Sequence, residues 1–119
     1  MKTIELLEEM AARKVRYEEE DINATFGQAY FSAKRDGNET INFPEVIWTN
    51  DIPKITENLE RFGIKEFTIS SNFSGLIETL AEFEKHGFKM NGLTTVSAGY
   101  RDWATGELKK LPAIRMIAE

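Results

Sequence analysis

Apolar residues recur at helical spacing in the first third of the chain, with charged and polar residues between them. Over residues 3–15 this pattern predicts an amphipathic helix, carried by Ile4, Leu7, Met10, Ala11 and Val15. A second helix is predicted from Asp21, a residue type that caps helix starts, to Gly37, a residue type that commonly ends helices. Its apolar positions are Ile22, Phe26, Ala29, Tyr30 and Ala33, although Gly27 weakens the helical pattern.

From residue 40 onward the pattern changes, because short apolar stretches alternate with segments of helical spacing. The predicted elements are, in order, a strand over 40–48 that Pro44 interrupts, a helix that ends at Gly63, a strand over 66–70, a helix that ends at Gly87 and a strand that begins at Phe88. The first of these two helices has the clearest pattern, with apolar residues at Ile52, Ile55, Leu59 and Phe62 and with Pro53 in its first turn.

The carboxyl-terminal third predicts a β-hairpin, because apolar stretches at 93–98 and 111–117 flank a polar connection at 99–107. The predicted order is therefore two N-terminal helices followed by βαβαββ. Strand-helix-strand units cross over with a right hand and run parallel. We therefore expect an α/β fold, a mixed sheet with a parallel core and a C-terminal antiparallel hairpin, in which the first two strands are parallel and are adjacent or near neighbours.

The composition fits a single domain of 119 residues, with a helical segment at 1–37 and an α/β unit at 38–119. The chain has no cysteine, which excludes disulfides, thiolate metal sites and a cysteine nucleophile. Glutamates interrupt the apolar residues of the amino terminus, so a signal peptide is not predicted, and no apolar run approaches the roughly 20 residues that span a bilayer. We therefore expect a cytoplasmic protein that neither crosses nor enters membranes.

The formal net charge of −5 disfavours a nucleic-acid partner, because proteins that bind the phosphate backbone usually concentrate Lys and Arg on one face. Four consecutive acidic residues stand out, namely Glu18, Glu19, Glu20 and Asp21. Such a run could mimic phosphates toward a basic partner. Runs of only four charges are more typical of a solvated helix start, and we prefer that interpretation.

Between Val46 and Met116, and most distinctly over 68–78 and 102–107, the chain resembles an uncharacterised family of small proteins from anaerobic Gram-positive bacteria and their mobile elements. That family has no assigned activity. The resemblance therefore implies a genomic setting for the chain, an origin in a mobile element. It does not imply a reaction.

Residues 83–88 are similar to a short segment of GNAT acetyltransferases, which reads aromatic-Glu-Lys-x-Gly-Phe. Where many members of that family carry a tyrosine that acts as general acid, this chain has Phe83, which has no proton to give. Leu76 occupies the position of the family's asparagine, and the chain lacks the glycine-containing loop that cradles the pyrophosphate of coenzyme A. The likeness bears on the fold and does not support acetyl transfer.

Polar residues follow each of the first two predicted strands, where the carboxyl ends of parallel strands would open on the same side. The candidate ligand-binding residues are Asn50, Asp51, Ser70, Ser71, Asn72 and Ser74. Hydroxyls, amides and free N–H groups at helix starts suit a small anion or a polar ligand. The same residue types also cap helices, and capping is the more ordinary explanation.

No metal, cofactor or catalytic residue is predicted. His86 is the only histidine, and its predicted place in the last turn of a helix suits a favourable interaction with the helix dipole. Carboxylate pairs such as Glu78 and Glu82 have helical spacing, but nothing in the pattern indicates an apolar pocket that would push their pKa values apart.

The predicted hairpin connection carries Tyr100, Arg101, Asp102 and Trp103, two large aromatic residues beside an expected ion pair. Tyr, Trp and Arg are enriched at interface hot spots, so these residues are the candidate interface. The alternative is a hairpin in which Trp103 folds back on the sheet. Two functions remain open: a non-catalytic binding or accessory protein that contacts a protein partner or itself through this connection, and a small-ligand-binding or GNAT-like acyltransferase-related domain with its site at the strand ends.

Overall fold

The computed structural model describes residues 21–71 and 73–119, in which three helices accompany a four-stranded mixed sheet. The elements are α1 (Ala24–Asp36), β1 (Ile41–Phe43), a 3-10 turn (Thr49–Asp51), α2 (Ile52–Arg61), β2 (Glu66–Ile69), α3 (Leu76–Lys85), β3 (Phe88–Arg101) and β4 (Leu108–Ala118). The helix expected over 3–15 lies outside the described residues. Within the described ranges, no helix has both the length and the apolar character needed to cross a membrane.

The start of α1 differs from the prediction, because Asn23 and not Asp21 caps the helix. The Asn23 side chain accepts a hydrogen bond from the Phe26 amide at 3.1 Å. Asp21 has a positive φ of 56° and forms an ion pair with Lys54 at 2.7 Å. The hydrogen bond and charge of Lys54 hold the pKa of the Asp21 carboxyl below its ordinary value. The helix ends as predicted at Gly37, which adopts the left-handed conformation.

The first strand is much shorter than the predicted 40–48, since β1 ends at Phe43. The following residue is Pro44, which has no N–H to contribute to a strand ladder. Side chains from elsewhere fix the next residues: the Ser71 hydroxyl donates to the Glu45 carbonyl at 2.9 Å, and the Thr79 hydroxyl donates to the Ile47 carbonyl at 3.0 Å. This segment is therefore ordered by side-chain hydrogen bonds outside the sheet.

The strand order across the sheet is β1-β2-β4-β3. The predicted parallel pairing of the first two strands is confirmed, with Ile41 opposite Phe67 and Phe43 opposite Ile69. The predicted parallel core is limited to the β1–β2 pair, because β4 inserts between β2 and β3 and pairs antiparallel with both. The last strand thus returns through the middle of the sheet and leaves β3 at its edge.

The predicted strand that begins at Phe88 and includes the apolar stretch at 93–98 is β3, a strand of 14 residues. The ladder with β4 shifts register between Met90 and Leu93, which leaves two residues of β3 opposite one residue of β4. Gly92 lies in this bulge with a φ of 77°, a conformation that glycine adopts without a Cβ penalty. The bulge lets one long strand contain both apolar stretches.

An aromatic cluster forms the centre of the core. The ring of Phe67 on β2 lies 4.9 Å from that of Phe83 on α3, 5.3 Å from that of Phe88 on β3 and 5.4 Å from that of Phe43 on β1, measured between centroids. All four side chains are buried. Since Phe83 reaches Phe67, α3 lies on the face of the sheet that carries Phe67.

Candidate functional site

The connection between β3 and β4 is a turn closed by its own backbone. We call residues 100–107 the hairpin tip. The Asp102 amide donates to the Glu107 carbonyl, and the Gly106 amide donates to the Asp102 carbonyl, both at 2.7 Å. The Thr105 hydroxyl accepts from the Glu107 amide at 3.2 Å. The tip is therefore a turn closed by hydrogen bonds within the chain.

The expected ion pair between Arg101 and Asp102 does not form in this turn. The Asp102 carboxylate accepts from the amides of Ala104 and Thr105, at 2.8 and 3.4 Å. The Arg101 guanidinium instead donates to the Gly106 carbonyl at 3.1 Å. Both side chains thus bind backbone groups of the turn. For Asp102 the reason is that a short Asp side chain at the start of a turn reaches the amides that follow it. Their first role is to shape the tip.

The two aromatic side chains of the tip point into solvent. Trp103 is 95% exposed and Tyr100 is 58% exposed. The alternative in which Trp103 packs back on the sheet is therefore not adopted. Large apolar residues scattered singly on a surface are common, but an almost fully exposed Trp beside a second exposed aromatic on a fixed turn is a candidate for recognition.

The base of the tip is fastened to the end of α1. The Asn38 side chain accepts from the Ser97 amide at 2.8 Å and donates to the Ser97 carbonyl at 3.2 Å, as a neighbouring strand would. Gly99, two residues further, has a φ of 84°, and a Cβ at this position would collide with the Asp36 side chain. These contacts set the direction in which the hairpin leaves the body of the fold.

Of the candidate ligand residues, Ser70 and Ser71 directly follow β2, whose carboxyl end lies beside that of β1 because the two strands are parallel neighbours. The Ser70 hydroxyl accepts a hydrogen bond from the side-chain nitrogen of Asn42 at 3.0 Å. The side-chain oxygen of Asn42 accepts one from the Thr68 hydroxyl at 2.6 Å. Ser71 binds the backbone before the 3-10 turn. The proton of the Ser71 hydroxyl is therefore engaged within the fold, whereas Ser70 is engaged there as an acceptor and can still donate.

The remaining ligand candidates add less. Asn50 and Asp51 belong to the 3-10 turn that leads into α2, and Asp51 makes no side-chain capping bond. Ser74 is exposed just before α3, and Asn72 lies outside the described residues. Their role in binding a ligand stays a prediction.

An exposed tryptophan that the sequence pattern did not indicate, Trp48, lies beside a groove. Trp48 was assigned to a strand, but it follows the end of β1 and is exposed. It lines a groove of about 570 Å³ between α1 and residues 43–48, together with Val46, Gln28 and Arg35. The available signal was Pro44, which breaks the strand and leaves the following apolar residues free to face solvent.

Elsewhere the polar candidates have structural explanations. His86 ends α3 and lies 3.7 Å from the Glu82 carboxylate, one helical turn away. In the described parts of the chain, no three His, Asp or Glu side chains are placed to hold a metal ion. Phe83, the residue at the tyrosine position of the GNAT segment, is fully buried in the aromatic core.

Comparison with known protein families matches residues 25–118 to DUF7698, a domain of unknown function. The chain belongs to this family. The DUF7698 region runs from the first turn of α1 to the end of β4, so it contains the whole sheet and the hairpin tip. No curated protein and no solved structure shows significant similarity to the chain. The GNAT likeness therefore has no support beyond its short segment, and the mobile-element setting rests on the sequence resemblance alone.

Proposed function

We propose that this DUF7698 protein is a non-catalytic binding or accessory protein that contacts a partner protein through the hairpin tip. Tyr100 and Trp103 would supply the contact area, while Arg101 and Asp102 hold the turn that presents them. The observation that carries the proposal is the 95% exposure of Trp103 on a turn closed by backbone hydrogen bonds.

The physical support comes from the cost of binding. Ordering a flexible loop at an interface lowers affinity, so a turn that is already fixed loses less entropy when it binds. Trp and Tyr contribute much buried area with few rotatable bonds, which explains their enrichment at hot spots. The two hydrogen bonds between the Asn38 side chain and the Ser97 backbone, which we call the Asn38 clamp, add to this preorganisation by fixing the base of the tip.

The alternative of a small-ligand site at the strand ends has weaker support. The Ser71 hydroxyl donates its proton to the Glu45 carbonyl, and an anion that bound Ser71 would have to replace that hydrogen bond. The Ser70 hydroxyl accepts from the Asn42 side chain and still has its own proton to donate, so only Ser71 requires such an exchange. The tip requires no such exchange, because the side chains of Trp103 and Tyr100 face solvent. We therefore prefer the protein-contact function.

The test is a quantitative pull-down from a host cell that expresses the tagged chain, with Trp103→Ala as the test variant. Trp48→Ala is a matched control, since Trp48 is also exposed but lies outside the hairpin. A partner of the tip should be recovered with the original chain and with Trp48→Ala, and should be lost with Trp103→Ala. Equal recovery with all three chains would contradict the proposal, as would equal loss in both variants.

A further inference from the structure

The outer edge of β3 is a second feature that the hairpin tip does not explain. Among the strands that the structure describes, β3 has β4 on one side and no strand on the other. An edge strand presents a row of backbone donors and acceptors that can pair with another extended chain. Which residues of β3 point these groups outward follows from the register of the ladder.

Hydrogen bonds on β4 fix that direction. The Ala118 amide donates to the carbonyl of the residue before β2, so its backbone faces β2 and not β3. Backbone direction alternates along a strand, and Met116 and Ile114 therefore also face β2. The residues of β3 opposite them are Met90 and Leu93. Because Met116 and Ile114 face β2, these are non-hydrogen-bonded pairs of the β3–β4 ladder. The N–H and C=O groups of Met90 and Leu93 thus point to the outer edge.

The Asn38 clamp gives an independent check on this register. Asn38 binds both backbone groups of Ser97 from outside the sheet, so Ser97 faces outward, and Thr95, two residues earlier, does so too. Thr95 lies opposite Pro112, which has no N–H. Pro112 fits here because the two residues form a non-hydrogen-bonded pair, so its missing N–H costs the β3–β4 ladder no hydrogen bond. Within the described ranges, no hydrogen bond reaches Leu93 or Thr95 from outside. We call residues 90–95 the free edge.

Exposed apolar side chains line the free edge on one face. Leu93 is 76% exposed and Met90 is 56% exposed, and both lie opposite core residues of β4, which places them on the face that carries α3. On α3, Thr79 points toward Ile47. Ile77, two residues before Thr79, therefore lies on the opposite side of α3 from Ile47, and it is 79% exposed. A strip of apolar side chains therefore follows the unpaired backbone.

We propose that the free edge binds a short extended segment of a partner protein as a fifth strand, lying beside α3. Main-chain hydrogen bonds to Leu93 and Thr95 would give affinity, and apolar side chains at alternate positions of the segment would pack on Leu93, Met90 and Ile77. The hydrogen-bonding groups of the edge specify an extended main chain as the occupant. This inference is independent of the proposed role of the tip.

A second copy of the chain fits this edge less well than a short segment. Outward-facing residues must oppose each other, and the two-fold register that pairs both Leu93 and Thr95 is centred on Thr94, with Leu93 of one copy opposite Thr95 of the other. That register sets Asn91 against Ser97, whose backbone Asn38 already occupies. Each copy would also bring its own bulge, which discourages pairing between edges. A short segment brings no bulge of its own and can pair with Leu93 and Thr95, on the far side of the bulge in β3, without reaching Ser97.

The probe is a phage-displayed library of random peptides of about ten residues, a length typical of a long strand, selected on the full chain. Thr95→Pro removes the outward N–H of the edge and leaves the ladder with β4 intact, because that N–H does not face β4. Leu93→Lys removes an exposed apolar side chain and provides a second variant should Thr95→Pro fail to fold. Trp103→Ala controls for binding at the tip.

We expect enriched peptides with apolar residues at alternate positions. Each edge variant should weaken binding of the synthesised peptide by about tenfold, and Trp103→Ala should change it by less than about twofold. The bound peptide should also slow hydrogen exchange at the Leu93 and Thr95 amides. Failure to enrich any peptide, or unchanged affinity in both edge variants, would overturn the proposal. Dimerisation of the original chain that Thr95→Pro abolishes would show that the occupant is a second copy instead.

Discussion

Replacing Trp103 with Ala should leave the stability of the fold almost unchanged. A buried Trp covers up to about 250 Å², but at 95% exposure only about a twentieth of that area is covered. At about 25 cal/mol per Å², the lost burial is worth about 0.3 kcal/mol. This value lies within the range of ordinary surface substitutions, about 0.5 kcal/mol in either direction. Had the hairpin folded back on the sheet, the same change would cost about 3–5 kcal/mol.

The assay is urea denaturation followed by far-ultraviolet circular dichroism, which does not depend on tryptophan fluorescence. Phe83→Ala serves as the comparison, because Phe83 lies in the aromatic core and its truncation should cost about 3–5 kcal/mol. A loss of more than about 1 kcal/mol in Trp103→Ala would refute the exposed position of this side chain, and with it the main argument for the tip as a contact surface.

Three further predictions concern the surroundings of the tip and the start of α1. Asn38→Ala removes both hydrogen bonds to Ser97 and should lower the free energy of unfolding by about 1–3 kcal/mol; an unchanged urea midpoint would contradict the clamp. Gly99→Ala combines a positive φ with a collision and should cost at least about 1 kcal/mol by the same assay. The lowered pKa of Asp21 means that its ionised form favours the folded chain above the unfolded pKa, and that this contribution is lost as pH falls through the folded value. The melting temperature of the original chain should therefore be higher than that of Asp21→Asn near neutral pH, where the ion pair with Lys54 forms. This difference in melting temperature should vanish in acid, where Asp21 is protonated.

Local patterns in the sequence were sufficient for the ends of the helices. Gly37, Gly63 and Gly87 were predicted to follow helices, and each has a positive φ just after a helix in the structure. A glycine at such a position acts through its own backbone conformation, so the signal is contained in a few neighbouring residues. The helices of the α/β unit could be located for this reason.

The order of the strands could not be obtained in the same way. Insertion of β4 between β2 and β3 depends on pairs such as Phe67 with Met116, which lie far apart along the chain. Apolar patterning marks 111–117 as a strand but carries no information about which neighbours it pairs with. The shortness of β1 was also missed, because Val46 and Trp48 continue its apolar pattern after Pro44 although both are exposed.

The candidate interface was located from the sequence, but its geometry was not. Tyr100 and Trp103 were recognised by residue type, whereas their exposure depends on how the turn closes. The role of Asp102 in binding turn amides was missed, although Asp followed by Thr105 and Gly106 is typical of a hydrogen-bonded turn. The outer edge of β3 could not be predicted at all, because it exists only through the strand order.

The most direct test of the proposed function is the recovery of partner proteins from the host cell by tagged original chain, Trp103→Ala and Trp48→Ala, quantified in parallel. The account predicts at least one protein that the original chain and Trp48→Ala recover equally and that Trp103→Ala loses, while Trp103→Ala remains folded. If every recovered protein is retained by Trp103→Ala, the hairpin tip is not the contact surface of this protein.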